Sequence, residues 1–117
     1  MATIKSYTSV EQSRKLAEIL PLESADMFYV AGKGEPIFIG NKMVACGEDD
    51  YDCLGGPDVL CWSLAALLGV LPNENMLVKT TDGKYYCLAK DIMTKHYNNP
   101  VDACVAMIER LNELKML

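Results

Sequence analysis

The side chains best suited to chemistry in this sequence are a single histidine, His96, and five cysteines. A cysteine nucleophile needs a base to remove its proton, so an enzyme of this kind would bring His96 beside a thiol. Cys46 and Cys53 lie in a glycine-rich segment and are the candidates, although neighbouring acidic residues disfavour the thiolate form. The remaining thiols lie in apolar patterns and are expected to be buried and unreactive: Cys61, Cys87 and Cys104.

Other familiar site patterns do not match. The three central cysteines are separated by six and seven residues, and no zinc ligand pair has that spacing. A calcium loop starting at Asp50 would place Leu54 at a ligand position and Cys61 where an EF-hand has glutamate. Ser63 lacks the flanking glycines of a hydrolase nucleophile. We therefore predict no catalytic residue, no metal site and no cofactor.

The net charge of −5 is concentrated in one place. Five acidic residues lie between positions 48 and 58, no lysine or arginine occurs between 43 and 78, and charge is balanced elsewhere. Four glycines and Pro57 make residues 40–58 a long acidic loop within a single domain, 1–117. Its charge would repel nucleic acid, so we expect a protein partner. The predicted partner-binding residues are Glu48, Asp49, Asp50, Tyr51 and Asp52.

The cysteine count and the apolar segments bear on cellular location. The number of cysteines is odd, no C-x-x-C pair occurs, and residues 1–12 lack the apolar centre of a secretory signal. The apolar run 59–71 is shorter than the ~20 residues that a membrane-spanning helix needs. These features predict a reduced, cytoplasmic protein that does not bind membranes.

Capping signals and turns divide the chain into helix, two strands, helix, two strands and helix. Ser9 and Gln12 have capping-box spacing and open a helix over 10–20. Strands follow at 27–30 and 36–39, around the turn 32–34. A mostly apolar helix over 64–71 would begin after an N-cap at Ser63 or, alternatively, at Pro57. Asn99 caps the last helix.

The second pair of strands, 76–81 and 84–90, flanks the turn Asp82-Gly83. This dipeptide is typical of a two-residue type I′ turn, which would pair Val78 with Cys87. The expected core face then comprises Met76, Val78, Tyr85, Cys87 and Ala89. In the last helix, Val101 to Leu111 carry an apolar stripe, with Met107 at its exposed margin. Two hairpins joined into one antiparallel sheet of about four strands, with three helices, predict an α+β fold.

Four segments together resemble a group of short proteins of gut anaerobic bacteria and of their phages and mobile elements. They are VEQS at 10–13, SADM at 24–27, CWSL at 61–64 and NPVDA at 99–103. The group carries no activity from which a site residue could be transferred. The resemblance implies a cytoplasmic setting and an origin in a phage or mobile element.

The leading functional hypothesis is a non-catalytic module that binds a protein partner or self-associates, for example as a homodimer. It follows from the absence of a catalytic set, the acidic loop and the apolar helix over 64–71. Two alternatives remain open. One is a small enzyme that uses a loop cysteine with His96, and the other is a domain that binds a small ligand.

Overall fold

The computed structural model describes residues 5–29, 36–38 and 59–117. Within these residues the fold is α+β, with three α-helices and two three-stranded antiparallel sheets. The chain divides into two compact units, Ser9–Trp62 and the combination of Met1–Thr8 with Ser63–Leu117. The predicted loop 40–58 lies outside the described residues, and the single domain stays a prediction.

In the unit Ser9–Trp62, helix α1 spans Val10–Ile19. The predicted capping box is confirmed, since Gln12 N donates to Ser9 Oγ at 3.2 Å and Ser9 N donates to Gln12 Oε1 at 3.0 Å. The helix ends before Leu20, and Pro21 follows. The buried side of α1 carries Ser13 and Leu16, whereas Ala17 is exposed.

The sheet of this unit has the order β2-β1-β3, with β1 at Met27–Tyr29, β2 at Pro36–Phe38 and β3 at Val59–Cys61. The antiparallel pairing of β1 with β2 confirms the first hairpin, whose turn lies outside the described residues. Strand β3 was not predicted, and it rules out a helix starting at Pro57, because the helix begins only at Leu64. Six side chains form most of the apolar interior: Leu16, Leu20, Met27, Phe28, Cys61 and Trp62.

In the other unit, helix α2 spans Leu64–Val70. The predicted cap at Ser63 is confirmed, because Ala66 N donates to Ser63 Oγ at 3.2 Å. The segment before α1 pairs with this position through a bridge between Tyr7 and Ser63. The sequence of α2 is apolar on nearly every side, but only part of the helix is buried. Leu67 faces the interior, whereas Ala65 is exposed.

The sheet of this unit has the order β4-β5-β6, with β4 at Met76–Lys79, β5 at Tyr85–Ala89 and β6 at Ile92–Met93. The predicted register is wrong by one residue, since Leu77 pairs with Cys87 and Val78 with Tyr86. The turn between β4 and β5 causes this shift, because it is one residue longer than predicted. Thr80 N donates to Lys84 O at 2.8 Å, which closes a three-residue loop around Gly83, whose φ of 82° is favourable for glycine.

This one-residue shift changes which side chains of β4 face the interior. Cys87 and Ala89 are buried as predicted, but Met76 is 57% exposed and does not belong to the core. Leu77 shares the face of Cys87 instead. The prediction therefore assigned the faces of β5 correctly and those of β4 incorrectly.

Helix α3 spans Pro100–Glu113 and confirms the predicted start. Asp102 N donates to Asn99 Oδ1 at 2.8 Å, and Lys5 forms an ion pair with Asp102 at 2.9 Å. Met107, expected at an exposed margin, is fully buried, so the interior-facing side of α3 is wider than the predicted stripe. Its buried residues are Pro100, Val101, Ala103, Cys104, Val105, Met107, Ile108 and Leu111.

The prediction of one four-stranded sheet is wrong. The two hairpins belong to different sheets, because each hairpin acquires its own third strand. Strand β1 pairs with β3 on its second edge, and β5 pairs with β6. With these partners in place, neither β1 nor β5 has an edge left through which the two hairpins could pair.

Candidate functional site

The segment that follows β6 runs beside β5 with one extra residue. Met93 pairs with Leu88, but the next bridge joins Tyr97 to Tyr85 through two hydrogen bonds of 2.7 and 2.8 Å. Between them, Thr94 N donates to Cys87 O at 3.0 Å, and Cys87 N donates to Thr94 Oγ1 at 2.9 Å. The extra residue makes this a β-bulge, a feature that redirects side chains at the edge of a sheet.

An open cleft of about 460 Å³ lies between this bulged edge and helix α3. We call it the edge groove. The helix contributes positions spaced by three, one and three residues, which share one side of an α-helix. Its lining residues are Met93, Thr94, Lys95, Tyr97, Ala106, Glu109, Arg110 and Glu113.

The charges of the edge groove are balanced. It contains two basic and two acidic side chains, and one pair is in contact, with Arg110 Nη1 3.3 Å from Glu113 Oε2. Both of these side chains are more than half exposed, so the ion pair contributes only ~0–1 kcal/mol. The edge groove therefore has no net charge with which to select an ionic ligand.

The sheet β4-β5-β6 also has an exposed apolar side. Cys87 and Ala89 are buried on one side of β5, so the alternate residues of β5 and their cross-strand partners lie on the opposite side. We call this second side the outer face. On it, the exposed fractions of Met76 and Met93 are 57% and 60%. Its apolar and aromatic residues are Met76, Val78, Tyr86, Leu88 and Met93.

His96 lies at the bulge and stacks on Tyr86. Their ring centroids are 5.0 Å apart and the planes differ by 16°. The imidazole is exposed, whereas the thiols of the described residues are buried and outside any disulfide. Cys46 and Cys53 lie outside the described residues, so a Cys–His pair stays a prediction.

Two of the buried thiols are in contact with each other. Cys104 on α3 and Cys87 on β5 share a hydrogen bond, which raises the pKa of the Cys104 thiol, and burial adds to this increase. A raised pKa keeps the thiol protonated and unreactive at neutral pH. Both Cys87 and Cys104 are fully buried, as predicted, and buried cysteines of this kind usually have a packing role.

The predicted partner-binding residues, Glu48 to Asp52, lie outside the described residues. Within 5–29, 36–38 and 59–117, no group of three or more histidine, cysteine or acidic side chains is arranged to hold a metal ion. Among the helices in these ranges, none has both the length and the apolar character to cross a bilayer.

Sequence reasoning missed both the edge groove and the outer face. The edge groove depends on a bulge and on the packing of α3, and neither has a local signal in residues 92–97. The outer face was missed because the hairpin register was one residue off. Alternation along β5 was the available signal, and it correctly separated Cys87 from Tyr86.

Comparisons of the chain with protein-family models, with curated proteins and with solved structures gave no match.

Proposed function

We propose that this chain is a non-catalytic module that binds polypeptides, either a second copy of itself or another protein. The observation that carries this proposal is the row of Met76, Leu88 and Met93 across three neighbouring strands. Both methionines at the ends of this row are more than half exposed. Scattered single exposed apolar residues are common, whereas these three are adjacent on neighbouring strands, as in a small binding surface.

The composition of the outer face supports protein binding. Methionine adapts its shape to different partners, and an aromatic residue such as Tyr86 often carries a large share of binding energy. Removing exposed apolar area from water is favourable by about 25 cal/mol per Å², before the entropic costs of association are subtracted. His96 extends this face, because its ring stacks on Tyr86 with the centroids 5.0 Å apart.

The acidic residues Glu48 to Asp52 extend this proposal. Their negative charge would attract a basic partner and increase its association rate. The cysteines Cys61, Cys87 and Cys104 form no disulfide, which supports the proposal of a reducing, cytoplasmic location. We also propose an origin in a phage or mobile element, which only the sequence resemblance to short proteins of gut anaerobic bacteria and their phages supports.

The test is a light-scattering measurement of mass against protein concentration. We expect a reversible rise above 12.9 kDa, because the outer faces of two chains can cover each other. The variant Met76→Lys should weaken this association by about tenfold or more, since it places a charge in the apolar row. The matched control is Leu22→Lys, which changes another exposed apolar residue, 53% accessible, outside the outer face.

A constant mass of 12.9 kDa at every concentration would remove self-association from the proposal. Equal effects of Met76→Lys and Leu22→Lys would remove the outer face. The enzyme alternative has its own signature at neutral pH. Rapid alkylation of Cys46 or Cys53 that is lost in His96→Ala would contradict a non-catalytic role.

A further inference from the structure

Among the described residues, strand β6 pairs on one side with β5 and lies at the edge of its sheet. Thr94 N donates to Cys87 O at 3.0 Å, so the backbone of Thr94 points toward β5. In an antiparallel ladder, successive residues direct their N–H and C=O groups to alternate sides. The N–H and C=O of Met93 therefore point outward from the sheet, at the rim of the edge groove.

We infer that the edge groove binds an extended segment of another protein, which adds to β6 as a further antiparallel or parallel strand. The segment is uncharged and carries apolar residues at alternate positions. Its backbone pairs with the outward N–H and C=O of Met93, and its side chains lie against α3 on one side and against the outer face on the other. This inference rests on the proposed function and specifies its partner.

The length of the edge groove fits a short strand. Its helical wall runs from Ala106 to Glu113 and spans about 10 Å at a rise of 1.5 Å per residue. An extended peptide covers that distance with about three or four residues. The groove volume of about 460 Å³ also lies within the range of sites that bind small ligands and short peptides.

The small area of the outer face favours a peptide, and not a second copy of the whole chain, as the specific binding partner. A stable protein interface needs about 800 Å² from each partner. Three strands of two to five residues present a face of only about 200 Å², given a strand spacing of ~4.8 Å and a rise of ~3.3 Å. Self-association through the outer face is therefore weak, whereas a single strand obtains directional hydrogen bonds from the edge.

Charge specifies the chemistry of the segment. Lys95 and Arg110 are balanced by Glu109 and Glu113 along the groove. A strongly acidic or basic peptide would meet a like charge as well as an opposite one and would lose solvation of its own charges. Met93 and Ala106 offer apolar contacts to an uncharged peptide instead.

The experiment uses the full chain and a phage-displayed library of random heptapeptides. The most enriched peptide is synthesised with neutral ends, and its affinity is measured by calorimetry. We expect an uncharged sequence with alternating apolar residues, whose binding slows hydrogen exchange at the amide of Met93. Ala106→Arg fills the groove and should weaken binding by about tenfold or more. Ala17→Arg, at an exposed alanine of α1, is the matched control and should leave the affinity unchanged.

A second variant, Met93→Pro, removes the outward N–H. Proline is tolerated on an edge strand where the N–H faces solvent, so this variant should fold and should bind the peptide about tenfold more weakly. Failure to enrich any peptide, enrichment of charged peptides, or affinities unaffected by Ala106→Arg would each overturn the inference. If Met76→Lys weakened peptide binding and Ala106→Arg did not, the inference would also be overturned. The proposed function would still stand, because the peptide would then bind to the outer face.

Discussion

Trp62 shows how one side chain organises the interior of the unit Ser9–Trp62. Its ring is fully buried, and its Nε1 donates a hydrogen bond of 2.9 Å to Ser24 Oγ. A buried indole N–H needs an acceptor because an unsatisfied polar group in the interior is costly. The apolar neighbourhood of Trp62 was predictable from sequence. Its acceptor was not, because Ser24 is 38 residues away along the chain.

Removing this acceptor should destabilise the protein. We expect Ser24→Ala to lower the free energy of unfolding by about 1–3 kcal/mol, the usual cost of leaving a buried donor without its acceptor. Urea unfolding followed by the fluorescence of the single tryptophan measures this change. Ser6→Ala, at an exposed serine, is the control and should change stability by less than ~0.5 kcal/mol. An equal loss in both variants would contradict the role of Ser24.

Among the secondary-structure elements, local signals predicted helix starts and failed where pairing is long-range. The caps at Ser9, Ser63 and Asn99 were all predictable, because an N-cap bonds to amides within three residues. Strand β3 was missed for two reasons. Its partner β1 lies about 30 residues earlier in the chain, and a short apolar run such as Val59–Cys61 could equally belong to a buried helix. Strand β6 was missed because Lys90 and Asp91 adopt positive φ without the usual glycine.

At the end of α3, Lys115 likewise occupies a position at which glycine is usually found. Met116 N donates to Leu111 O at 2.8 Å and Lys115 N donates to Asn112 O at 3.1 Å, which is a Schellman motif. Lys115 occupies its left-handed position with φ of 57°, where glycine is preferred. The motif forms despite this unfavourable conformation.

Replacing Lys115 by glycine, which adopts a positive φ without strain, should stabilise the protein. Lys115→Gly is expected to raise the free energy of unfolding by about 1 kcal/mol, since an L-residue loses that much in the left-handed region. Lys15→Gly is the matched control in the middle of α1, and it should lower stability by about 1 kcal/mol. Thermal and urea unfolding of both variants measures these opposite changes. A loss of stability in Lys115→Gly would show that the side chain outweighs the backbone conformation.

At the scale of the whole molecule, the α+β class was predictable, but the number of sheets was not. Composition and two hairpin signals favour an antiparallel sheet, whereas the assignment of hairpins to sheets depends on strands that have no turn signal. Both compact units are shorter than the ~70 residues below which a single apolar core rarely stabilises a fold by itself. We therefore expect the chain to unfold in one cooperative transition, as the single-domain prediction requires.

Thiol labelling can test this cooperativity. Cys61 lies in the unit Ser9–Trp62, whereas Cys87 and Cys104 lie in the other unit. If the chain unfolds as one, native-state alkylation with mass spectrometry should give the same free energy of opening for these three thiols. Labelling in concentrated urea is the control for intrinsic reactivity. Opening of Cys61 at a distinctly lower free energy than that of Cys87 would show two independent folding units.

The exposure of Met76 and Met93 has a consequence for how the protein responds to oxidants. Peroxide converts an accessible thioether to a sulfoxide, which is polar and chiral, and dedicated reductases reverse the reaction. Met76 and Met93, at 57% and 60% exposure, are accessible in this way, whereas Met27 and Met107 are shielded. Oxygen atoms added at both ends of the apolar row would make it hydrophilic, so peroxide treatment should weaken any polypeptide binding that the outer face provides, as proposed above, and methionine sulfoxide reductase should restore it.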